Sequence, residues 1–315
     1  MRCDEDILHD QSSTGRERPW RAKKQSNMKL SEIYRQVNEK KADRLENCGT
    51  VLTFKQLENG QKKLDHMSSC RVRLCPMCSW RRSIKLYAQV SKVMDAAKSS
   101  NYAYIMATFT VANCSSEALS DVITSMMSAY NKLKQLKSFK AAIHGWYRGL
   151  EVTHNTDPLS KSYDTYHPHF HCIFAVDKGY FMDKRYIQRD EWAKMWRKAM
   201  KLEYTPMVDI RCVKGKTAKA VAEISKYTVK DVDYIVSSDY DLSVRTVRTL
   251  DQALHKRRLV AFGGVFKALH KQLNLDDPID GDLVNIDGES DLDKMRTEGY
   301  VSYVWSAGYN NYYRD

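Results

Sequence analysis

Between Tyr102 and Val213 the chain alternates two textures, and this alternation constrains its fold more than any other feature. Tyr102–Val111 (YAYIMATFTV), Gly145–Thr153 (GWYRGLEVT), Pro168–Val176 and Met207–Val213 (MVDIRCV) are rich in β-branched and aromatic residues, the composition of strands. Between them lie helical periods. Ser116–Lys137 carries Leu119, Val122, Ile123 and Met126 on one face, and Arg189–Met200 carries Trp192 and Trp196 four residues apart. Strands mixed with helices across long connections predict an α+β or α/β domain over about residues 100–270. Thr217–Val229 reads as a helix, with further helix to Leu273, and no internal repeat is visible.

The flanks differ. Residues 1–26 are polar and charge-rich and read as a flexible arm. A helical pattern follows at Leu30, Ile33, Tyr34 and Val37, with Ser31 near its start. Residues 48–82 hold most of the cysteines, and residues 83–99 fit an amphipathic helix through Leu86, Val90 and Met94. The organisation expected is an arm (1–26), a Cys-rich region (27–99), a core domain (100–235), a helical extension (236–275) and an acidic, aromatic tail (276–315). Nine acids and only two bases, Lys294 and Arg296, fall between Asp276 and Glu298. Such a segment serves either as a solvated end or as a restraint on nonspecific binding. The aromatic end that follows (YVSYVWSAGYNNYY) either docks a partner or packs on the body.

Lys and Arg total 51 against 39 Asp and Glu, a net charge of +12 that favours a polyanionic partner. A chain 43% hydrophobic and 29% charged can bury a core, which excludes wholesale disorder. No apolar run reaches the roughly 18 residues of a membrane span. The polar N-terminus has no secretory h-region. Eight cysteines without a signal peptide imply a reducing, cytoplasmic setting, with thiols free or on metal.

His167-Pro168-His169-Phe170-His171 is the first motif with chemical content. In a strand, residues i and i+2 share a face, so His169 and His171 project together and can chelate one divalent ion, with Phe170 and Cys172 behind. Pro168 is expected at the strand start, where a missing N–H is tolerated. His167 is an alternative ligand or phosphate contact. Glu151, an acid between Leu150 and Val152, is the best third ligand, because a buried carboxylate needs a partner. His154, at a strand end, is a weaker one. Two imidazoles with oxygen ligands suit Mn²⁺ or Mg²⁺, while Zn²⁺ and Co²⁺ also fit.

Cys70, Cys75 and Cys78 lie after Cys48, and four thiolates hold a tetrahedral structural Zn²⁺. His66 is the alternative to Cys48 as fourth ligand. Arg71, Arg73, Arg81 and Arg82, with Trp80 among them, suit phosphate contact and base stacking, though a plain solvated face is equally compatible with each. Arg245, Arg248, Lys256, Arg257 and Arg258 mark further candidate DNA-binding helices.

Glu223 and Tyr227 (AVAEISKYTVK) are four residues apart, which on a helix sets them about 5–6 Å apart on one face. A phenol of reference pKa about 10 is a poor nucleophile unless its anion is favoured. Lys226 and Lys230 flank the tyrosine and would lower the cost of phenolate, and Glu223 could accept a proton.

Taken in order, ATFTV (Ala107–Val111), HPHFHCI (His167–Ile173) and EISKY (Glu223–Tyr227) resemble the three motifs of plasmid rolling-circle replication initiators, the Rep proteins of the HUH endonuclease superfamily. GLEVT, the cysteine cluster and RRLVAFGGVF are also similar, and the resemblance covers roughly residues 18–270. It implies an α+β fold with a central antiparallel sheet, flanking helices and His169 and His171 on a central strand. It implies metal-dependent nicking of one strand at a plasmid origin, Tyr227 becoming joined to the 5′-phosphate. Glu223 matches the residue that activates water for termination. The partners implied are origin DNA, single-stranded at the nick and duplex for recognition, and a host helicase and polymerase. The sequence leaves a homodimer open. The alternatives are a relaxase or transposase of the same chemistry, and a non-enzymatic zinc-containing DNA-binding regulator.

Overall fold

The computed structural model describes residues 6–12, 15–98, 102–213, 221, 229–286 and 292–315. Glu223, Lys226, Tyr227 and nearly all of the helix expected over 217–229 lie outside the described residues. The chain is α+β and forms two compact units. One comprises Met1–Lys85, Tyr234–Arg248 and Asp280–Asp315, the other Leu86–Asp233 and Thr249–Ile279.

The first unit is built on a four-stranded antiparallel sheet. β1 (Val51–Leu57) pairs with β2 (Lys62–Met67) on one side and with β8 (Thr297–Ser306) on the other, and β9 (Asn311–Arg314) follows β8. Leu52 lies opposite Tyr303 and Phe54 opposite Val301. The aromatic end of the chain thus completes this sheet, with Tyr303 and Tyr312 buried. Helices α1 (Trp20–Arg35) and α2 (Glu39–Asn47) complete the unit, together with the start of α3 (Pro76–Lys98).

α1 begins well before Ser31. Its buried face reads Trp20, Lys24, Asn27, Leu30, Ser31, Ile33 and Tyr34. The polar members satisfy themselves on backbone carbonyls, Asn27 Nδ2 on Leu45 O at 2.5 Å and Ser31 Oγ on Ala42 O at 3.1 Å. They interrupt the hydrophobic period that would have shown the first two turns. The described part of the expected flexible arm is held as well. Ile7 bridges Tyr313, Leu8 N donates to Tyr312 O, and Trp20 Nε1 donates to Asp10 Oδ2 at 2.7 Å.

Arg81 corrects a second expectation. It is fully buried, donating through Nε to Leu283 O and through Nη2 to Val284 O, each at 2.8 Å. Its guanidinium lies over Trp20 and Trp80, 5.5 and 5.7 Å from the ring centroids. Arg81 and Trp80 are therefore core residues that hold the segment before β8, not contacts for DNA. Lys85 Nζ does the same for Asp282 O at 3.0 Å, so the start of the acidic stretch is strapped down through its carbonyls. Arg73 and Arg82 are half-buried.

The second unit carries a five-stranded antiparallel sheet in the order β6 (Val208–Cys212), β3 (Tyr102–Thr110), β5 (Thr165–Asp177), β4 (Gly145–Asn155), β7 (Val260–Gly264). Phe109, Phe170 and Phe174 on one face meet Trp192 and Trp196 of α6 (Arg189–Met200), and Phe139 of α5 (Lys137–Ala142) packs on Phe174. α4 (Leu119–Leu133) adds Tyr130 against Phe170. α6 has the bounds read from sequence because its signals are local. Glu191 and Gln188 form a capping box, and Lys201 ends the helix in the left-handed region.

Where helix was expected through residue 273, α7 (Tyr240–Ala253) gives way to strand β7 before α8 (Val265–Gln272). Gly263 explains this placement: a Cβ there would lie 2.0 Å from the Trp146 indole, so only glycine lets β7 lie along β4. Arg257, one of the candidate DNA contacts, is engaged by Ser120 and Thr124 of α4.

Candidate functional site

Strand register assembles the histidine site. Antiparallel pairing of β4 with β5 sets Glu151 opposite His169 and Gly149 opposite His171. β3 supplies Thr108 opposite His171 and Thr110 opposite His169. Side chains alternate across a sheet, so Phe170 points into the aromatic layer and the two imidazoles point to the opposite face. Pro168 sits inside β5, three residues after its start, and not at the strand end expected. Tyr166 exchanges backbone hydrogen bonds with Cys114 on the β3 side, whereas β3 itself ends at Thr110. The proline falls between these two pairings, where no ladder bond is lost.

Glu151 Oε2 lies 2.8 Å from His171 Nε2 and 3.3 Å from His169 Nε2. One donor atom from each of the three residues falls within 4.8 Å of the others. The outer nitrogens are engaged: His169 Nδ1 faces His167 O at 3.1 Å and His171 Nδ1 faces Thr108 Oγ1 at 3.3 Å. A carbonyl only accepts, so His169 donates through Nδ1. In the neutral ring its Nε2 lone pair then faces a carboxylate oxygen. Two acceptors at that distance repel unless a proton or a cation lies between them. This donor set fits a divalent ion, with the ring orientation that metal-bound histidines have. Burial pushes the Glu151 carboxyl up, but the hydrogen bonds and charge of the two imidazoles outweigh it and hold the group well below the usual carboxylate range.

Other candidates take other places. The His167 ring lies 5.2 Å from that of His169 but is not among the clustered ligands. Burial, then the charge of His169, lowers its pKa. His154 is used elsewhere: it stacks on Tyr166 at 4.4 Å and contacts Asp164 Oδ1 at 2.9 Å and Asp233 O at 3.1 Å. Lys230 Nζ stands 3.9 Å from Glu151 Oε1. Thr108 was missed in the sequence because its link to His171 depends on strand register, although it sits inside the ATFTV segment.

The cysteine cluster is equally compact. Cys48, Cys70, Cys75 and Cys78 are buried with their sulfurs within 4.8 Å of one another. Three Sγ pairs lie at 3.5, 3.6 and 3.8 Å. A tetrahedron with metal–sulfur bonds of about 2.3 Å has sulfurs about 3.8 Å apart, so the set fits a tetrahedral ion. Backbone N–H groups of Cys70 and Cys78 point at Cys48 and Cys75 sulfurs, each at 3.4 Å. Hydrogen bonds from the other three cysteines hold Cys78 well below the usual thiol range, while burial pushes Cys75 up. His66 is exposed on β2 and outside the cluster, so Cys48 is the fourth member.

Beneath the cysteines, the fully buried Lys24 donates to Glu46 O, Cys48 O and Thr50 Oγ1 at 2.7, 2.8 and 3.0 Å. Burial lowers its pKa to about 8, against the pull of the nearby thiols. Nothing in its sequence surroundings, a charge-rich run, distinguished it.

Fold and site together define an α+β protein with two candidate metal centres, one imidazole–carboxylate and one tetrathiol. The model of the family described as "Replication protein" matches residues 61–313, and this chain belongs to that family. A "Protein rep" of Bacillus amyloliquefaciens is 41% identical over 98% of this chain and 97% of its own length. Those of Lentilactobacillus hilgardii and Streptococcus pneumoniae are 36% and 33% identical, each over 98% of this chain and 98% and 95% of their own lengths. No solved structure matches the chain significantly. Membership bears out the resemblance to plasmid replication initiators. No helix among the described residues is long and apolar enough to cross a membrane.

Proposed function

We infer that this protein starts rolling-circle replication by nicking one strand at a plasmid origin, with Tyr227 as nucleophile. The observation that carries the reading is the convergence of Glu151, His169 and His171 on one point, with the outer nitrogens of both rings already engaged. A divalent ion held there would polarise the scissile phosphate and offset the charge that develops on its oxygens.

The chain's own residues do the rest. His169 and His171 present Nε2 because their Nδ1 atoms are held by His167 O and Thr108. Glu151 orients both rings from the neighbouring strand. Lys230 brings positive charge to the same carboxylate. It follows Tyr227 by three residues, and three residues of chain span no more than about 11 Å. Tyr227 would attack the phosphorus, forming a phosphotyrosine and releasing a 3′-hydroxyl to prime synthesis. One phosphodiester replaces another, so the step is near-balanced and rejoining needs no ATP. Glu223 would activate water for the final, irreversible cleavage. The four cysteines would hold a structural Zn²⁺. Lys226, Lys230, Arg73, Arg82 and His167 are the proposed DNA contacts.

The test is cleavage of a supercoiled plasmid carrying the origin. Wild-type protein with Mn²⁺ or Mg²⁺ should nick it and stay joined to the 5′ end. Tyr227→Phe should do neither, and Glu223→Ala should nick but fail to terminate by hydrolysis. Absence of any metal-dependent nick would leave a non-enzymatic DNA-binding regulator as the better description.

A further inference from the structure

A groove of about 620 Å³ opens on the helical layer of the second unit, lined by α5, α6 and the loop before α6. This layer covers the aromatic face of the sheet, whereas Glu151, His169 and His171 project from the other face. Four cations line the groove, Lys137, Lys184, Arg185 and Lys194, against one acid, Glu191. Arg185 is committed to Asp177 and Asp183 at 2.8 and 2.7 Å and stiffens the wall. The three lysines are exposed, and none has a carboxylate partner among the described residues. Beside them Tyr186, 37% exposed, and Phe181, 39% exposed, present their rings 5.7 Å apart, braced by the buried Tyr180.

Unpaired ammonium groups flanking exposed, braced aromatic rings are what a single strand of nucleic acid requires. The cations track its phosphates, and the rings accept unpaired bases whatever their identity. Paired bases in a duplex could not reach such rings. We propose that this groove is a second DNA site that holds single-stranded DNA on the face of the sheet away from the metal centre. Lys137, Lys184 and Lys194 grip the backbone, and Tyr186 and Phe181 stack its bases. The inference rests on the nicking function above, since nicking with strand displacement is what would present single-stranded DNA to this protein.

The experiment measures binding of fluorescent single-stranded and duplex oligonucleotides by anisotropy across a salt series. It uses the full chain, a Lys137→Gln/Lys184→Gln/Lys194→Gln variant, Tyr186→Ala, and a charge-matched control changed at the exposed Lys29, Lys40 and Lys267. Each single-strand phosphate contact contributes about 0.7 to the slope of log affinity against log salt, so the groove variant should lower that slope by about 2. Tyr186→Ala should weaken single-strand binding at least about five-fold with the slope unchanged. Duplex binding, and nicking of a short origin oligonucleotide, should persist in both. An unchanged single-strand slope, or an equal loss in the control, overturns the groove, as does a loss falling equally on duplex. If the unaltered protein fails to nick, it is the nicking function that fails, which the same preparations show separately.

Discussion

Thr108→Val tests the histidine site through a residue that touches no ion. Thr108 Oγ1 lies 3.3 Å from His171 Nδ1, in a register where β3 places residue 108 opposite 171. Its counterpart on His169 is a main-chain carbonyl, which substitution cannot remove. Valine keeps the shape and suits a strand, so the fold should be nearly unaffected. What is lost is the bond that holds the His171 ring in its orientation. Removing such an outer partner weakens metal binding by about 10- to 100-fold, or roughly 1.4–2.7 kcal/mol. Titration with Mn²⁺, followed calorimetrically or by the signal of free Mn²⁺, should show that shift for Thr108→Val and little change for Thr108→Ser. Melting in the presence of chelator should be alike for all three proteins. A Mn²⁺ affinity within about three-fold of wild type in the valine variant would refute the reasoning, as would equal losses in valine and serine.

Cys75→Ser should abolish the zinc binding proposed for the four cysteines, measured as zinc per chain. The first unit should then unfold at lower denaturant, because apparent zinc-binding energies of about 10–16 kcal/mol serve as folding energy in small sites. Arg81→Met should lower thermal stability by orphaning the Leu283 and Val284 carbonyls, at about 1–3 kcal/mol each, while leaving the salt dependence of DNA binding as it was. A changed salt slope would restore Arg81 as a phosphate contact. Gly263→Ala forces a Cβ to 2.0 Å from the Trp146 ring and should cost about 1–3 kcal/mol by chemical denaturation, with metal affinity preserved. An unperturbed unfolding midpoint would show that β7 can shift away from β4.

Local signals explain what was legible. The four strands read from sequence were found with only their ends moved, because each is a run of residues suited to a pleated surface. His169 and His171 share a face by strand periodicity alone, and Glu151 stood out as an acid in an apolar run. Less was legible where the partner is distant. β1 pairs with β8 across some 250 positions, as Leu52 with Tyr303, and no local pattern could join them. Core positions taken by Lys24, Asn27 and Arg81 are polar, so hydrophobic pattern did not mark them as buried.

Residue order by itself determined the strand runs, the paired imidazoles and the cysteine spacing, since each depends on neighbours within a few residues. Only the tertiary structure decided that Cys48 and not His66 joins the thiols. It alone set Thr108 behind His171, and turned the aromatic end of the chain into part of a sheet. These depend on register and burial between segments far apart in sequence, where the free energy lies in contacts that no local pattern encodes.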